Sequence, residues 1–157
     1  MDFQKQRVTF QEALKRASEL CSRSEKCIYD IEQKCHEWQL TADETSRVTN
    51  YLIQEKFIDH QRYASSYVND KFRFNQWGKI KLAYSLRMKH IEEKHIREAL
   101  SCLPDENYQK VLLGLLTAKA RTIKEKDSYT RRGKLLAFAQ SRGFENDVAI
   151  RIIEQLK

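Results

Sequence analysis

"HIEEKH" at residues 90–95 has two counterparts in the same chain, "QLTADE" at 39–44 and "GFENDV" at 143–148. Each places one apolar residue ahead of a short polar, acid-rich stretch. Acids there favour a helix start, because the unpaired N–H groups of a first turn carry partial positive charge. The apolar anchors are Leu40, Ile91 and Phe144. Eight and twelve residues past them come Val48 and Leu52, Ala99 and Leu103, Ile152 and Leu156. These offsets keep one helical face apolar, so a helix is expected to begin after each anchor. New units then open at "FIDHQRY" (57–63) and "LPDENY" (103–108). Asp59 and Asp105 are the expected N-caps, each with a tyrosine one turn later.

Helical stripes fill the space between these joints. They include Phe10, Ala13, Leu14, Ala17, Leu20 and Cys21, then Cys27, Ile28, Ile31, Cys35 and Trp38, then Val48, Tyr51 and Leu52. The expected fold is all-α: three tandem three-helix repeats forming an elongated, curved right-handed-type helical array. The expected units are 9–56, 57–104 and 105–157 of a single 157-residue chain. One irregular helical bundle is the alternative, and the agreement of anchors, offsets and caps favours the repeat. One proline and four glycines cannot supply the turns that a sandwich or barrel needs every 8–12 residues.

Composition narrows the function. The longest fully apolar run is "VLLGLL" at 111–116, far short of the roughly 20 residues that span a bilayer. The N-terminus shows no apolar signal region, so a cytoplasmic protein with no membrane partner is expected. The four cysteines form no CxxC pair, and Cys27 and Cys35 read as buried free thiols. There is no GxxxxGK[ST] loop and no HExxH; the Gly-Lys pairs at 78–79 and 133–134 stand alone, and His90 and His95 read as surface residues at a helix start. No catalytic set, metal site or cofactor site is expected.

The net charge of +7 is unevenly spread. Residues 1–50 carry 8 cations and 9 acids, whereas 51–104 carry 10 and 6. Between Asp70 and Glu92 lie Lys71, Arg73, Lys79, Lys81, Arg87 and Lys89 without one acid. Between Asp127 and Glu145 lie Arg131, Arg132, Lys134 and Arg142, again without one. Such segregation attracts anionic partners, so these ten cations are the candidate partner-binding residues. Three aromatics are interleaved with the first group in "NDKFRFNQWGK" (69–79). On a straight helix Tyr63, Tyr67 and Phe74 share one ridge and Ala64, Val68 and Phe72 another, with Lys71 emerging between them. Tyr67, Val68 and Phe72 are therefore expected in the core. Base stacking on Phe74 or Trp77 beside Arg73 and Lys79 is the rival reading.

The blocks "CSRSEKCIYDIEQKCHEW", "EKFIDHQRYASSYVNDKFRFNQWGKIKLAYSLRMKHI", "KARTIKEKD" and "KLLAFAQSRGF" together resemble the RecX family of regulatory proteins. The resemblance spans roughly residues 9–157. It implies three tandem three-helix units, in agreement with the repeated anchors. It also implies a protein that binds the RecA recombinase filament, lies in its helical groove and restrains its ATPase, strand-exchange and coprotease activities; a monomer is expected, with single- or double-stranded DNA as a second partner. It implies no catalytic residues. The rival function is direct binding of DNA or RNA without RecA. The family usually has glycine before the anchor of the second unit, where this chain has His90; the third unit keeps Gly143-Phe144.

Overall fold

The computed structural model describes residues 7–156, which hold helices and connecting turns and no strand. Unit one comprises α1 (Phe10–Arg23), α2 (Ile28–Glu37) and α3 (Ala42–Gln54). Unit two comprises α4 (His60–Asp70), a π turn (Lys71–Asn75), α5 (Lys79–Met88) and α6 (Glu93–Ser101). Unit three comprises α7 (Asp105–Ala120), α8 (Ser128–Ser141) and α9 (Asn146–Gln155).

The three third helices start two residues after Leu40, Ile91 and Phe144, as the repeated motif requires. The turn before each anchor is the same object three times. Gln39, His90 and Gly143 have φ of 61°, 60° and 89°, the left-handed conformation that ends a helix. The amide of each anchor then reaches back to the last turn: Leu40 to the Cys35 carbonyl, Ile91 to Leu86 and Phe144 to Ala139, at 3.1, 3.1 and 3.0 Å. These bonds satisfy carbonyls that the helix end leaves open. Holding His90 rather than glycine in that conformation costs about 1–2 kcal/mol. In return its ring packs 5.4 Å from that of Tyr29 in unit one.

Capping accounts for the helix starts. Thr41 and Glu44 form a reciprocal capping box on α3, with bonds of 3.0 and 3.1 Å. Asp59 caps α4 by accepting from the Arg62 amide at 3.0 Å. Asp105 does not cap α7: it is the first helical residue, and Pro104 holds the cap position. Its carboxylate stands in the first turn, where the helix dipole still favours it.

The apolar side chains collect in two cores. One gathers Ala17, Ile31, Cys35, Val48 and Leu52 of unit one with Ile58 from the segment that opens unit two. The other is shared by units two and three, with Val68, Phe72, Leu82, Leu86 and Ile96 from one and Tyr108, Leu112, Leu116, Phe144 and Ile152 from the other. Cys27 and Cys35 are buried free thiols, and burial pushes the Cys27 thiol up to about 11. Cys27 occupies the N-cap of α2 rather than a place inside the helical stripe. Tyr51, placed on an apolar stripe by spacing, lies exposed beside the buried Leu52.

Candidate partner-binding face

The middle of the chain positions the aromatics and cations through a change of helix type. After α4 the backbone opens into a π turn, and Gln76 closes it at φ 56°. A π turn takes in an extra residue and shifts the register of the residues after it. Phe72 stays in the core as its spacing predicts, stacked on Tyr108 with ring centroids 5.8 Å apart. Val68 is likewise buried and Tyr67 half-buried. Phe74, expected on the ridge of Tyr63 and Tyr67, is 72% exposed. That ridge runs out of the core into a cleft of about 700 Å³ between units one and two, lined in part by Tyr29, Tyr67, Lys71 and Phe74.

Trp77 is the hub of the basic group. Its half-buried ring lies 5.2 Å from the Lys71 ammonium and 4.6 Å from that of Lys81. Cations over an indole face are held by its quadrupole and keep their charge available to solvent. Arg73 lies 5.3 Å from the exposed Phe74 ring. Arg142 of unit three donates to the Asn75 carbonyl at 3.2 Å, which brings a second unit to the same place. Among the described residues, none of these four has a carboxylate within ion-pair distance. Lys79 stands beside them, with its ammonium 4.9 Å from the Tyr108 ring and 3.9 Å from Asp105.

The other five candidate cations are engaged within the chain. Arg87 pairs with Glu93 through two bonds of 2.5 and 3.2 Å. Lys89 bonds Asp30 of unit one at 2.6 Å. Partial burial works against ionising Asp30, yet the Lys89 ammonium and the Cys27 amide outweigh it and hold that carboxyl below its usual range. Arg131 is half-buried and donates to the carbonyls of Ala120, Ile123 and Glu125, closing the end of α7. Lys134 bonds Glu125, and Arg132 lies 3.5 Å from Glu154. The structure thus divides the ten cations into a group near the π turn, with Lys71 and Lys81 on Trp77, and a set of internal ties.

Two further devices fix the cluster in place, and spacing alone did not reveal them. Gly78 and Gly143 meet back to back: a Cβ on Gly78 would lie 2.4 Å from the Gly143 oxygen, and one on Gly143 2.2 Å from the Lys81 Cβ. The Gly78 amide donates to the Arg142 carbonyl at 2.8 Å and the Ile80 amide to that of Gly143 at 2.9 Å. The second device is a polar relay present at both joints. The Lys79 amide donates to the Tyr108 hydroxyl at 2.9 Å, which in turn donates to Glu145. At the other joint the Ile28 amide donates to His60 Nε2 at 3.2 Å, so Nδ1 carries the proton toward Glu92 at 3.0 Å. His95 belongs to this joint too. It is half-buried with Nδ1 2.7 Å from Gln61 Oε1, not a surface residue, while His90 is exposed as expected.

Among the described residues no group of His, Cys, Asp and Glu could hold a metal ion, and no helix is long and apolar enough to cross a membrane.

Comparison with known proteins places this architecture. Residues 59–100 match the model of the second three-helix domain of RecX, and residues 105–153 that of the third. A regulatory protein RecX of Clostridium beijerinckii is 30% identical over 118 residues, covering 73% of this chain and 54% of the relative. That of Clostridium botulinum is 29% identical over 115 residues, covering 72% and 53%. The chain therefore spans about half the length of these curated relatives. Among solved structures, RecX from Lactobacillus salivarius superposes with a TM-score of 0.83 at 21% identity, over 94% of this chain and 96% of that one. A second RecX crystal structure gives 0.81 at 21% identity, over 92% and 73%. The two domain models together cover more than half of the sequence, in the order and at the places where the helices form units two and three, and the chain belongs to the RecX family.

Proposed function

We propose that this chain is a non-catalytic regulator that binds the RecA recombinase filament on DNA and inhibits its ATPase, strand-exchange and coprotease activities during DNA repair, recombination and the SOS response. It acts in the cytoplasm as a monomer of three units, 9–56, 57–104 and 105–157. Family membership supports the partner. The observation that carries the reading is the group of Lys71 and Lys81 on the Trp77 ring, Arg73 on Phe74 and Arg142 on the Asn75 carbonyl, four cations drawn from two units and free of internal carboxylates. Unpaired cations on a rigid joint suit a groove where phosphates and acidic side chains are both within reach. Arg87, Lys89, Arg131, Arg132 and Lys134, already engaged within the chain, take a smaller share. The test is a titration of the DNA-dependent ATPase of RecA: a falling rate is expected, and an unchanged rate at saturating protein refutes the reading.

One observation favours a second reading, direct binding of single-stranded DNA or RNA. Phe74 is exposed beside Arg73 and above an open cleft, as a stacking platform would be. Fluorescence anisotropy with a short single strand decides it. Tight binding without RecA that falls steeply with salt supports this reading, and weak, salt-insensitive binding counts against it.

A further inference from the structure

The outer face of α5 carries a line of large apolar side chains that the fold does not use. Ile80, Tyr84 and Met88, at i, i+4 and i+8, are 55%, 62% and 59% exposed. The opposite face of the same helix already gives Leu82, Ala83 and Leu86 to the core. Nor does the repeat demand the line. Counted back from the anchors Leu40, Ile91 and Phe144, the places of Ile80, Tyr84 and Met88 are held by Tyr29, Gln33 and Glu37 in α2 and by Gly133, Ala137 and Ser141 in α8, so neither neighbour repeats the line. Three large apolar residues along one solvent-facing helix face mark a surface that meets a protein, read as i, i+4, i+8 anchors.

The borders of the line say which kind. On the helical wheel the unpaired Lys81 flanks one edge and Arg87, already bonded to Glu93, the other, and no acid occurs from Lys71 through Ile91. A second copy of this chain meeting the line face to face would offer Lys81 no unpaired carboxylate, since Glu93 is already bonded to Arg87. A nucleic-acid backbone would match the borders but offer nothing to Ile80 and Met88. A protein groove with an apolar floor and carboxylates along its rim satisfies both.

We propose that the α5 line Ile80–Tyr84–Met88 docks into such an acid-rimmed apolar groove on the recombinase subunit. The adjoining Trp77 cluster is left to meet phosphate. The proposal rests on the reading of the chain as a filament binder. It separates two jobs on one surface: α5 reads protein, and the cations at the π turn read charge.

The test uses the full chain carrying Ile80→Ala, Tyr84→Ala and Met88→Ala together. Affinity for RecA filaments is expected to fall tenfold or more, while the melting temperature and the affinity for a single strand alone stay at wild-type values. A charge pair then probes the rim: Met88→Glu should weaken filament binding more than Met88→Lys. Wild-type filament affinity in the triple variant overturns the proposal and leaves the filament reading standing. A wild-type chain that fails to bind filaments removes both. A parallel loss of single-strand binding, a line-dependent dimer in sedimentation, line-dependent binding to phosphatidylglycerol vesicles with filament binding intact, or equal effects of the two Met88 changes would each overturn it as well.

Discussion

Gly143→Ala tests the joint that carries the candidate site. The perturbation acts in two ways. An alanine at φ 89° adopts a left-handed conformation that costs about 1–2 kcal/mol. Its Cβ would also lie 2.2 Å from the Lys81 Cβ and 2.7 Å from the Lys81 backbone nitrogen. Neither of those atoms is the far end of a flexible side chain, so α5 itself has to move. Overpacking of that kind costs about 1–3 kcal/mol. The sum is a loss of about 2–5 kcal/mol, a large part of the stability of a domain this size. Gly114→Ala and Gly133→Ala are the controls. Both glycines are within helices, nothing lies within 4 Å of a Cβ at either, and the change to alanine should stabilise by about 0.5–1 kcal/mol each. Urea denaturation followed by circular dichroism measures all three. Opposite signs are expected: a lower midpoint for Gly143→Ala and higher midpoints for the controls. A Gly143→Ala loss below about 1 kcal/mol with an unchanged slope refutes the close approach of α5 to the Gly143 turn.

Phe72→Ala should cost about 3–5 kcal/mol in the same assay, since the ring is buried and stacked on Tyr108; a cost below about 1 kcal/mol would place that ring outside the core. Lys81→Glu should leave the melting temperature near wild type and weaken filament binding, whereas Lys89→Glu sets a second carboxylate against Asp30 and should lower the melting temperature; equal behaviour of the two contradicts the division of the cations into a free cluster and internal ties. The Asp30 carboxyl is held low in the folded chain. Its contribution to stability is present above its unfolded value of about 3.9 and is lost as pH falls through the folded value. Asp30→Asn should therefore flatten the acid limb of the stability–pH curve below about pH 4, and an acid limb identical to wild type excludes that role.

Much of the fold was legible because its joints are local. A left-handed residue, an apolar anchor and an acidic first turn are contiguous in sequence, so 39–44, 90–95 and 143–148 declare three helix starts without tertiary information. The candidate site was legible only as a list of ten cations. What sorts them is contact between residues far apart in the chain, such as Lys89 with Asp30 and Arg142 with the Asn75 carbonyl, and no helical period encodes such pairs. The π turn was hidden for a related reason. Straight-helix geometry puts Phe74 with Tyr63 and Tyr67, and only the backbone, which opens into the π turn and leaves Phe74 exposed, reveals the added residue. Asp105 misled because an aspartate serves equally as a cap or in the first turn, and the preceding Pro104 decides between them by taking the extended cap conformation.

The two joints share one design and differ in what fills it. Each runs from the first amide of a second helix, through a side chain on the next unit, to the glutamate that opens that unit's third helix. Between units two and three the middle member is Tyr108, whose hydroxyl is driven far above its ordinary range, by burial first and by the bond to Glu145 second. It keeps its proton at any physiological pH, and around it Phe72, Tyr108 and Phe144 join the two units in one apolar core. Between units one and two the middle member is His60, flanked by the ion pairs of Lys89 with Asp30 and Arg62 with Glu25 and by the ring contact of Tyr29 with His90. Of the buried residues of unit one, Cys27 alone enters the shared core. Units two and three thus share one core, whereas unit one joins them through Cys27, Tyr29 and Ile58 together with these polar bonds, which salt and water weaken more readily than apolar contact. The cations around Trp77, with Arg142 reaching in from unit three, sit on the packed joint. Their mutual geometry is set by a joint that two units share in one apolar core, which suits the filament-binding role proposed for them.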